Sequence, residues 1–228
     1  MTLKYGQFCP IAKATELLGE KWTFLILREL LMGSTRFNEI QRGLSLISPA
    51  LLARRLKSLE DNGLLMRRKI QGQRGYEYFP TEPTTELLPI LLNLGDWGMR
   101  WAKDYLTDED YDVDFLMLCM RRSIQLERLP GGGAVLKFKF LDIQDNPNWW
   151  VVVSGTDVDI CTKDPGKDVD VYFTTSVSTM SHVWLGDRSY KDAIESEELL
   201  VVGPPAFTRN ITKWLNCSPF AEEALKTA

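Results

Sequence analysis

The sequence predicts an α+β protein: an N-terminal helical region ending in a two-stranded ribbon, then a small antiparallel-sheet α+β domain with helices on one face. Three observations carry this. Residues 20–63 place apolar side chains at helical spacing, and residues 64–79 read as two short strands around a glycine-rich tip. Several segments between Leu136 and Val202 alternate apolar and polar side chains with a period of two. A length of 228 residues suits two domains of ordinary size. The run Thr107-Asp-Glu-Asp-Tyr-Asp-Val-Asp114 is acidic and has no apolar period. The expected division is therefore 1–106, a linker at 107–114, and 115–228.

Taken in order, Trp22, Leu25, Ile26, Leu30, Phe37 and Ile40 recur at helical spacing and are expected in a core, with a break at Gly33. Ser48 suits a helix N-cap, and Pro49 suits the first helical position, where its missing N–H would have had no acceptor. Leu52, Leu56 and Leu59 then fall on one inward stripe. Ala50, Leu51, Arg54, Lys57 and Ser58 fall opposite, with Arg55 at the margin, and Gly63 ends the helix. Small residues near the start allow close approach to base edges. Arg54 can donate two hydrogen bonds to a guanine, while Arg55 and Lys57 reach phosphates. A solvated helix face is the alternative for this helix alone.

The ribbon decides between them. Leu64–Ile70 and Tyr76–Phe79 are strand-like, and Gln71-Gly-Gln-Arg-Gly75 supplies the turn. Arg67, Arg68, Lys69 and Arg74 cluster there with Gln73, and Arg36 is a further phosphate candidate. A basic hairpin tip beside a basic helix is what a winged helix–turn–helix needs to hold double-stranded DNA. Charge agrees: residues 1–105 carry 15 Lys/Arg against 11 Asp/Glu, and residues 106–228 carry 12 against 20.

The helix expected from about Thr85 to Lys103 is apolar on more than one face, with Leu87, Leu88, Ile90, Leu91, Leu92, Leu94, Trp97 and Trp101. Pro89 is tolerable near its first turn. The surplus predicts a homodimer formed through this helix and the N-terminal segment. Two recognition helices would then read a near-palindrome. Packing of the extra face on the C-terminal domain is the alternative.

Residues 9–31, from Cys9-Pro-Ile-Ala through Glu20-Lys-Trp-Thr to Glu29-Leu-Leu31, occur with Arg36-Phe37, Ile47-Ser-Pro49, Leu52, Arg55-Leu-Lys-Ser-Leu-Glu60 and Gly63-Leu64. Together they resemble the HxlR-type winged-helix regulators over about residues 5 to 103. The resemblance implies a dimeric bacterial transcription regulator. It departs at Pro80-Thr-Glu-Pro-Thr-Thr85, where the family more often has Leu-Thr-Pro followed by a basic residue and glycine. Cys9 occupies the family's N-terminal cysteine position, which in some members senses oxidants or electrophiles. Lys4, Lys13 and Lys21 would help lower its pKa. A small residue at a helix start is the other reading of Cys9.

In the C-terminal half, a helix over 115–129 precedes strands around Leu136–Phe140, Trp149–Val153, Val158–Ile160 and Val169–Phe173. Helices follow at Val177–Leu185, Tyr190–Glu195 and Phe207–Leu215, with a last strand at Leu199–Val202. Val158-Asp-Ile-Cys-Thr-Lys-Asp-Pro165, Asp170-Val-Tyr-Phe-Thr-Thr175, Val183-Trp-Leu-Gly-Asp187, Leu200-Val-Val-Gly-Pro204 and Ile211-Thr-Lys-Trp-Leu215 resemble the sterol carrier protein-like fold. That resemblance implies an apolar cavity for a hydrophobic small molecule, with Phe138, Phe140, Trp150, Phe173, Met180, Trp184 and Trp214 as its lining. All seven filling an ordinary core is the alternative.

Other chemistries find no motif. The four cysteines (Cys9, Cys119, Cys161, Cys217) are scattered and His182 is the single histidine, so neither a metal site nor a disulfide framework is expected. No phosphate loop, catalytic triad or cofactor motif is present, and an enzyme is not expected. No apolar run approaches a bilayer span and no signal peptide is evident, which predicts a cytoplasmic protein. The expectation is a dimeric DNA-binding regulator modulated by a hydrophobic small molecule in its C-terminal domain. Two rivals stand beside it: a redox regulator acting through Cys9 with a structural C-terminal domain, and a lipid or metabolite carrier whose winged helix mediates protein contacts.

Overall fold

The computed structural model of the chain describes residues 4–221. Two compact units divide between Gly95 and Asp96. The acidic segment 107–114 lies within the second unit and holds a 3-10 turn at Asp108–Asp110.

The first unit runs α1 (Pro10–Leu18), α2 (Thr23–Leu31), α3 (Phe37–Arg42), α4 (Pro49–Asp61), β1 (Leu65–Lys69), β2 (Tyr76–Pro80), α5 (Glu82–Thr85) and α6 (Leu88–Trp101), the last continuing into the second unit. Ile26, Leu27 and Leu30 of α2 close on Ile40 and on the Leu52, Leu56 and Leu59 stripe of α4. Burying these side chains contributes roughly 1.5–3 kcal/mol each against leaving them exposed. Leu25 departs from expectation: it is exposed, and Leu27 is wholly buried in its place. At about 100° per residue, Leu25 lies nearly opposite Leu27 and off the stripe that Ile26 and Leu30 define.

The helix expected from about Thr85 to Lys103 is α6, starting at Leu88 and ending at Trp101, and a short helix that the sequence did not announce, α5, precedes it. The Thr84 hydroxyl donates to the Leu64 carbonyl at 2.5 Å and the Thr81 hydroxyl donates to the Gly63 carbonyl at 2.7 Å. These bonds pin α5 to the start of the ribbon, and α6 begins afresh at Leu88 with Pro89 in its first turn. Neither α1 nor α6 has a buried residue. Phe8 and Ile11 at the chain's start, and Ile90, Leu94, Trp97 and Trp101 on α6, are exposed.

The second unit contains α7 (Val113–Ser123), β3 (Gly133–Phe140), β4 (Asn148–Ser154), β5 (Asp157–Cys161), β6 (Val171–Thr175), α8 (Val177–Leu185), α9 (Tyr190–Glu195), β7 (Leu200–Val202), α10 (Pro205–Thr208) and α11 (Ile211–Trp214). Its five strands lie in the order β5-β4-β3-β6-β7. The sheet is mixed rather than antiparallel throughout, because β3 and β6 run parallel. After β5 the chain returns through residues 162–170 before β6 pairs with the free edge of β3, and a strand reached that way keeps the direction of β3. Val135 and Asp170 lock the return: the Asp170 amide donates to the Val135 carbonyl, and the Val135 amide donates to the Asp170 carboxylate.

Leu136, Phe138, Phe140, Trp149, Val151, Val153, Val171 and Phe173 form one sheet face, packed against α7, α8 and Trp214. Val135, Trp150 and Val152 occupy the other face, with Val169 of the return segment against them. The helix expected over 115–129 stops at Ser123, where Ile124 turns extended and bridges Leu215. The one expected over 207–215 is split into α10 and α11 at Arg209–Asn210. No described helix is long and apolar enough to cross a membrane.

Candidate nucleic-acid interface

Ser48 caps α4 as expected: its backbone is extended and its hydroxyl accepts the Leu51 amide hydrogen bond at 3.3 Å, with Pro49 next in the chain. Such a cap contributes about 1 kcal/mol and fixes where the helix begins. Ala50, Arg54 and Lys57 are exposed on α4, Ser58 is half-buried, and Leu51 packs partly on the core. Ala53, not among the expected contacts, is exposed as well. Its spacing from Ala50 and Lys57, three and four residues away, was the available signal. The outward face of α4 is thus two alanines flanked by long cations.

β1 and β2 form the ribbon in register, with Arg68 opposite Glu77 and Lys69 opposite Tyr76. The Ile70 amide donates to the Gly75 carbonyl at 3.2 Å, closing the turn. Gly72 and Gly75 have φ of 71° and 116°, backbone that side chains rarely adopt. A third extended segment joins the ribbon: Arg36 bridges Glu77, and the Tyr78 amide donates to the Thr35 carbonyl at 2.8 Å. Glu39 accepts both the Thr35 and Arg36 amides, which fixes Arg36 at the start of α3.

The basic residues divide into two groups. Several are neutralised within the fold. Arg67 pairs with Glu60 and stacks over Tyr76, Arg68 pairs with Glu77 at 3.0 Å, and Arg36 approaches Glu77 at 3.5 Å. Lys57 is bonded to Asp61 and Glu60, and those hydrogen bonds hold its ammonium above the usual lysine range. Arg55 departs furthest from a phosphate contact: its side chain is mostly buried and pairs with Glu20. Arg54, Lys69 and Arg74, by contrast, have no side-chain ion pair or hydrogen bond among the described residues, and Gln73 is exposed beside Arg74. Uncompensated guanidinium and ammonium groups on a helix face and a ribbon tip are available to a polyanion.

In the second unit, Phe138, Phe140, Phe173, Met180 and Trp214 are all but wholly buried in one core. The rings of Phe138 and Phe173 stack at 4.5 Å, and Trp214 meets Phe173 edge-on at 6.4 Å. Trp184 is partly buried against that core and its indole N–H donates to the Ser123 hydroxyl at 2.9 Å. Trp150 is not brought together with them, since it faces the opposite side of the sheet under the Lys137 ammonium. Trp149 stands in its place. The Trp149 indole nitrogen and the Tyr190 hydroxyl are buried without a hydrogen-bond partner among the described residues. Cys9 is a half-buried free thiol at the N-cap of α1. Among the described residues no cluster of three His, Cys, Asp or Glu side chains has the arrangement of a metal site.

The family model for the HxlR-like helix-turn-helix matches residues 17–105. The uncharacterized HTH-type transcriptional regulator YvaP of Bacillus subtilis is 36% identical over 108 residues, which is 46% of this chain and 100% of YvaP. An uncharacterized HTH-type transcriptional regulator of Methanothermobacter thermautotrophicus is 36% identical over 95 residues, 41% of this chain and 72% of that protein. Among solved structures, the reduced form of the transcriptional regulator YodB from B. subtilis is 32% identical. It covers 43% of this chain and 98% of its own, with a TM-score of 0.38.

Proposed function

Because the chain belongs to the HxlR-like helix-turn-helix family, we propose that it is a cytoplasmic DNA-binding transcriptional regulator acting by binding rather than catalysis. The observation that carries this is the outward face of the capped helix α4. There Arg54 projects between small residues with no ion pair or side-chain hydrogen bond among the described residues, and Lys69 and Arg74 on the ribbon are likewise unpaired among them. Arg54 reads a base edge from the major groove. Lys69, Gln73 and Arg74 hold the backbone or the neighbouring minor groove.

The regulator acts as a homodimer. In support, α1 and α6 bury none of their residues, and Ile90, Leu94, Trp97 and Trp101 leave an apolar face on α6 larger than a monomer's surface helix needs. Two-fold pairing would set two copies of α4 on successive major grooves and require a near-palindromic operator. The N-terminal winged helix with α6 carries DNA binding and dimerisation, and the C-terminal domain binds a hydrophobic effector in a sterol carrier protein-like fold. The unpartnered Trp149 indole and Tyr190 hydroxyl within an aromatic core support such a ligand, since one polar group on it would satisfy either. A second reading, oxidation of Cys9 as the signal, is favoured by its position as a free, half-buried thiol beside the exposed Phe8 and Ile11.

Selection of duplexes from a random pool by the purified protein tests the central reading. Enrichment of a near-palindrome with steeply salt-dependent affinity is the expected result. Failure to enrich any sequence, with equal weak binding to all DNA, would sink it. Native mass spectrometry of the same preparation reads the dimer and any co-purified small molecule.

A further inference from the structure

Leu185 ends α8, and Gly186 follows in left-handed backbone at φ of 85°. The amides of Asp187 and Arg188 then fold back to donate to the His182 carbonyl at 3.0 and 3.3 Å. Glu198 arrives from the turn between α9 and β7, its carbonyl held by the Thr175 hydroxyl at 2.8 Å. Ser178, Thr179, His182, Asp187, Arg188 and Glu198 together line a cleft of about 460 Å³. That volume lies in the range of small-molecule sites.

Two residues outside the lining hold it in place. The Lys103 ammonium donates to Asp187 Oδ1 at 2.5 Å, and Asp187 Oδ2 lies 3.2 Å from His182 Nδ1. A carboxylate only accepts, so Nδ1 carries the proton, and Nε2 of the neutral imidazole accepts from the Tyr111 hydroxyl at 3.0 Å. Both imidazole nitrogens are thereby committed. Asp187 is fixed with lone pairs to spare, its side chain only 11% exposed. On the other wall, Arg188 pairs with Glu198 Oε2 through Nη1 and donates from Nη2 to the Ser196 hydroxyl at 2.7 Å. Glu198 Oε1, the Arg188 Nε–H and the Ser178 hydroxyl have no hydrogen-bond partner among the described residues.

None of these lining side chains is apolar, so a hydrophobic ligand would cover polar groups without replacing their hydrogen bonds to water. The charges are balanced as well: Asp187 faces Lys103, and Glu198 faces Arg188. A carboxylate or ammonium group entering this set brings a charge that no lining residue can balance without giving up its present partner. What remains are spare acceptors on Asp187 and Glu198 and spare donors on Arg188, Ser178 and Thr179. Neutral hydroxyl groups donate to the first and accept from the second.

We propose that this cleft binds a small neutral polyhydroxylated molecule, of the size and chemistry of a monosaccharide or cyclic polyol. The site stands whether or not the DNA-binding and hydrophobic-effector readings hold. It also gives the lone histidine a place: His182, clamped between Tyr111 and Asp187, is a rigid wall of the cleft rather than a proton carrier.

Compounds built on one ring separate the classes. D-Glucose, D-glucosamine and D-glucuronate are titrated against the full chain and followed by saturation-transfer NMR, with myo-inositol and glycerol as further neutral probes. At least one neutral probe should bind, and both charged sugars should bind about tenfold more weakly than the best of them. Binding of either charged sugar as tight as the best neutral probe overturns the neutral class. No signal from any neutral probe overturns the site. Ser178→Phe fills the cleft and should abolish binding; binding that survives lies elsewhere on the protein and sinks the assignment. Glu198→Gln leaves the Arg188 charge unbalanced and should admit D-glucuronate about tenfold better than the parent does. Unchanged glucuronate binding by that variant overturns the charge-balance argument. Thermal unfolding checks each variant, and Glu198 is exposed enough for its variant to decide the matter should Ser178→Phe fail to fold.

Discussion

The Arg55 guanidinium is ion-paired with the Glu20 carboxylate, which ties the middle of α4 to the turn that precedes α2. Arg55 sits one position from the base-reading candidate Arg54, yet its side chain is 17% exposed, too enclosed to reach outward freely. It therefore braces α4. Arg55→Ala is expected to cost about 1 kcal/mol of stability, since Glu20 remains well exposed and solvent weakens the pair. Urea unfolding measures the loss, and the salt slope of DNA binding should not move. A slope lowered by about 1, with stability unchanged, would return Arg55 to the phosphate contacts.

Arg54 behaves differently because no ion pair or side-chain hydrogen bond holds it among the described residues. Arg54→Ala should leave stability within about 0.5 kcal/mol of the parent, as for other surface substitutions. Affinity for the selected duplex should fall by about 1–3 kcal/mol, with preference relaxed at one base pair per half-site. Anisotropy titrations against selected and scrambled duplexes compare the two losses. Equal losses on both would assign Arg54 to the backbone.

Much of the first unit was legible because its signals are local. Ser48-Pro49 announces a helix start within two residues, the Leu52–Leu56–Leu59 stripe lies on one helix, and the glycine-rich turn sits between the strands it joins. The counter-ions were not legible. Glu20 meets Arg55, and Glu77 meets Arg36, across long sequence separations, and no periodicity links them. In the second unit the period of two located β3 to β6 but not their directions, because parallel and antiparallel strands alternate alike. The same limit misplaced Trp150. Adjacent Trp149 and Trp150 point to opposite faces, and only the register against Phe138 and Lys137 tells which faces the helices.

Gly43 marks a steric constraint at the end of α3. A β-carbon there would lie 2.3 Å from the carboxylate of Glu29, which is fully buried and paired with Arg28 at 2.9 Å. The Arg28 guanidinium also donates to the Gly43 carbonyl, so the carboxylate cannot swing away without loosening that group. Gly43→Ala should destabilise the protein by about 1–3 kcal/mol. The same substitution in a Glu29→Ala background should cost clearly less, because the clash has gone. Denaturant midpoints of the four proteins give the coupling, and strictly additive effects would exclude the clash.

Cys217 offers a prediction independent of DNA. Burial pushes its thiol above the ordinary cysteine range, and its sulfur donates a weak hydrogen bond to the Val183 carbonyl at 3.4 Å. A raised value leaves less thiolate at neutral pH, and the thiolate is the nucleophile. Alkylation of Cys217 by iodoacetamide in the folded protein should therefore lag an unstructured cysteine peptide. Its half-maximal rate should come at a pH above the roughly 8.5 of a free thiol. In urea the lag should vanish, since unfolding removes the burial that causes it. Peptide mass mapping of timed samples reads the rate residue by residue, and native-state labelling at the peptide's own rate and pH midpoint would show that the thiol is not enclosed as described.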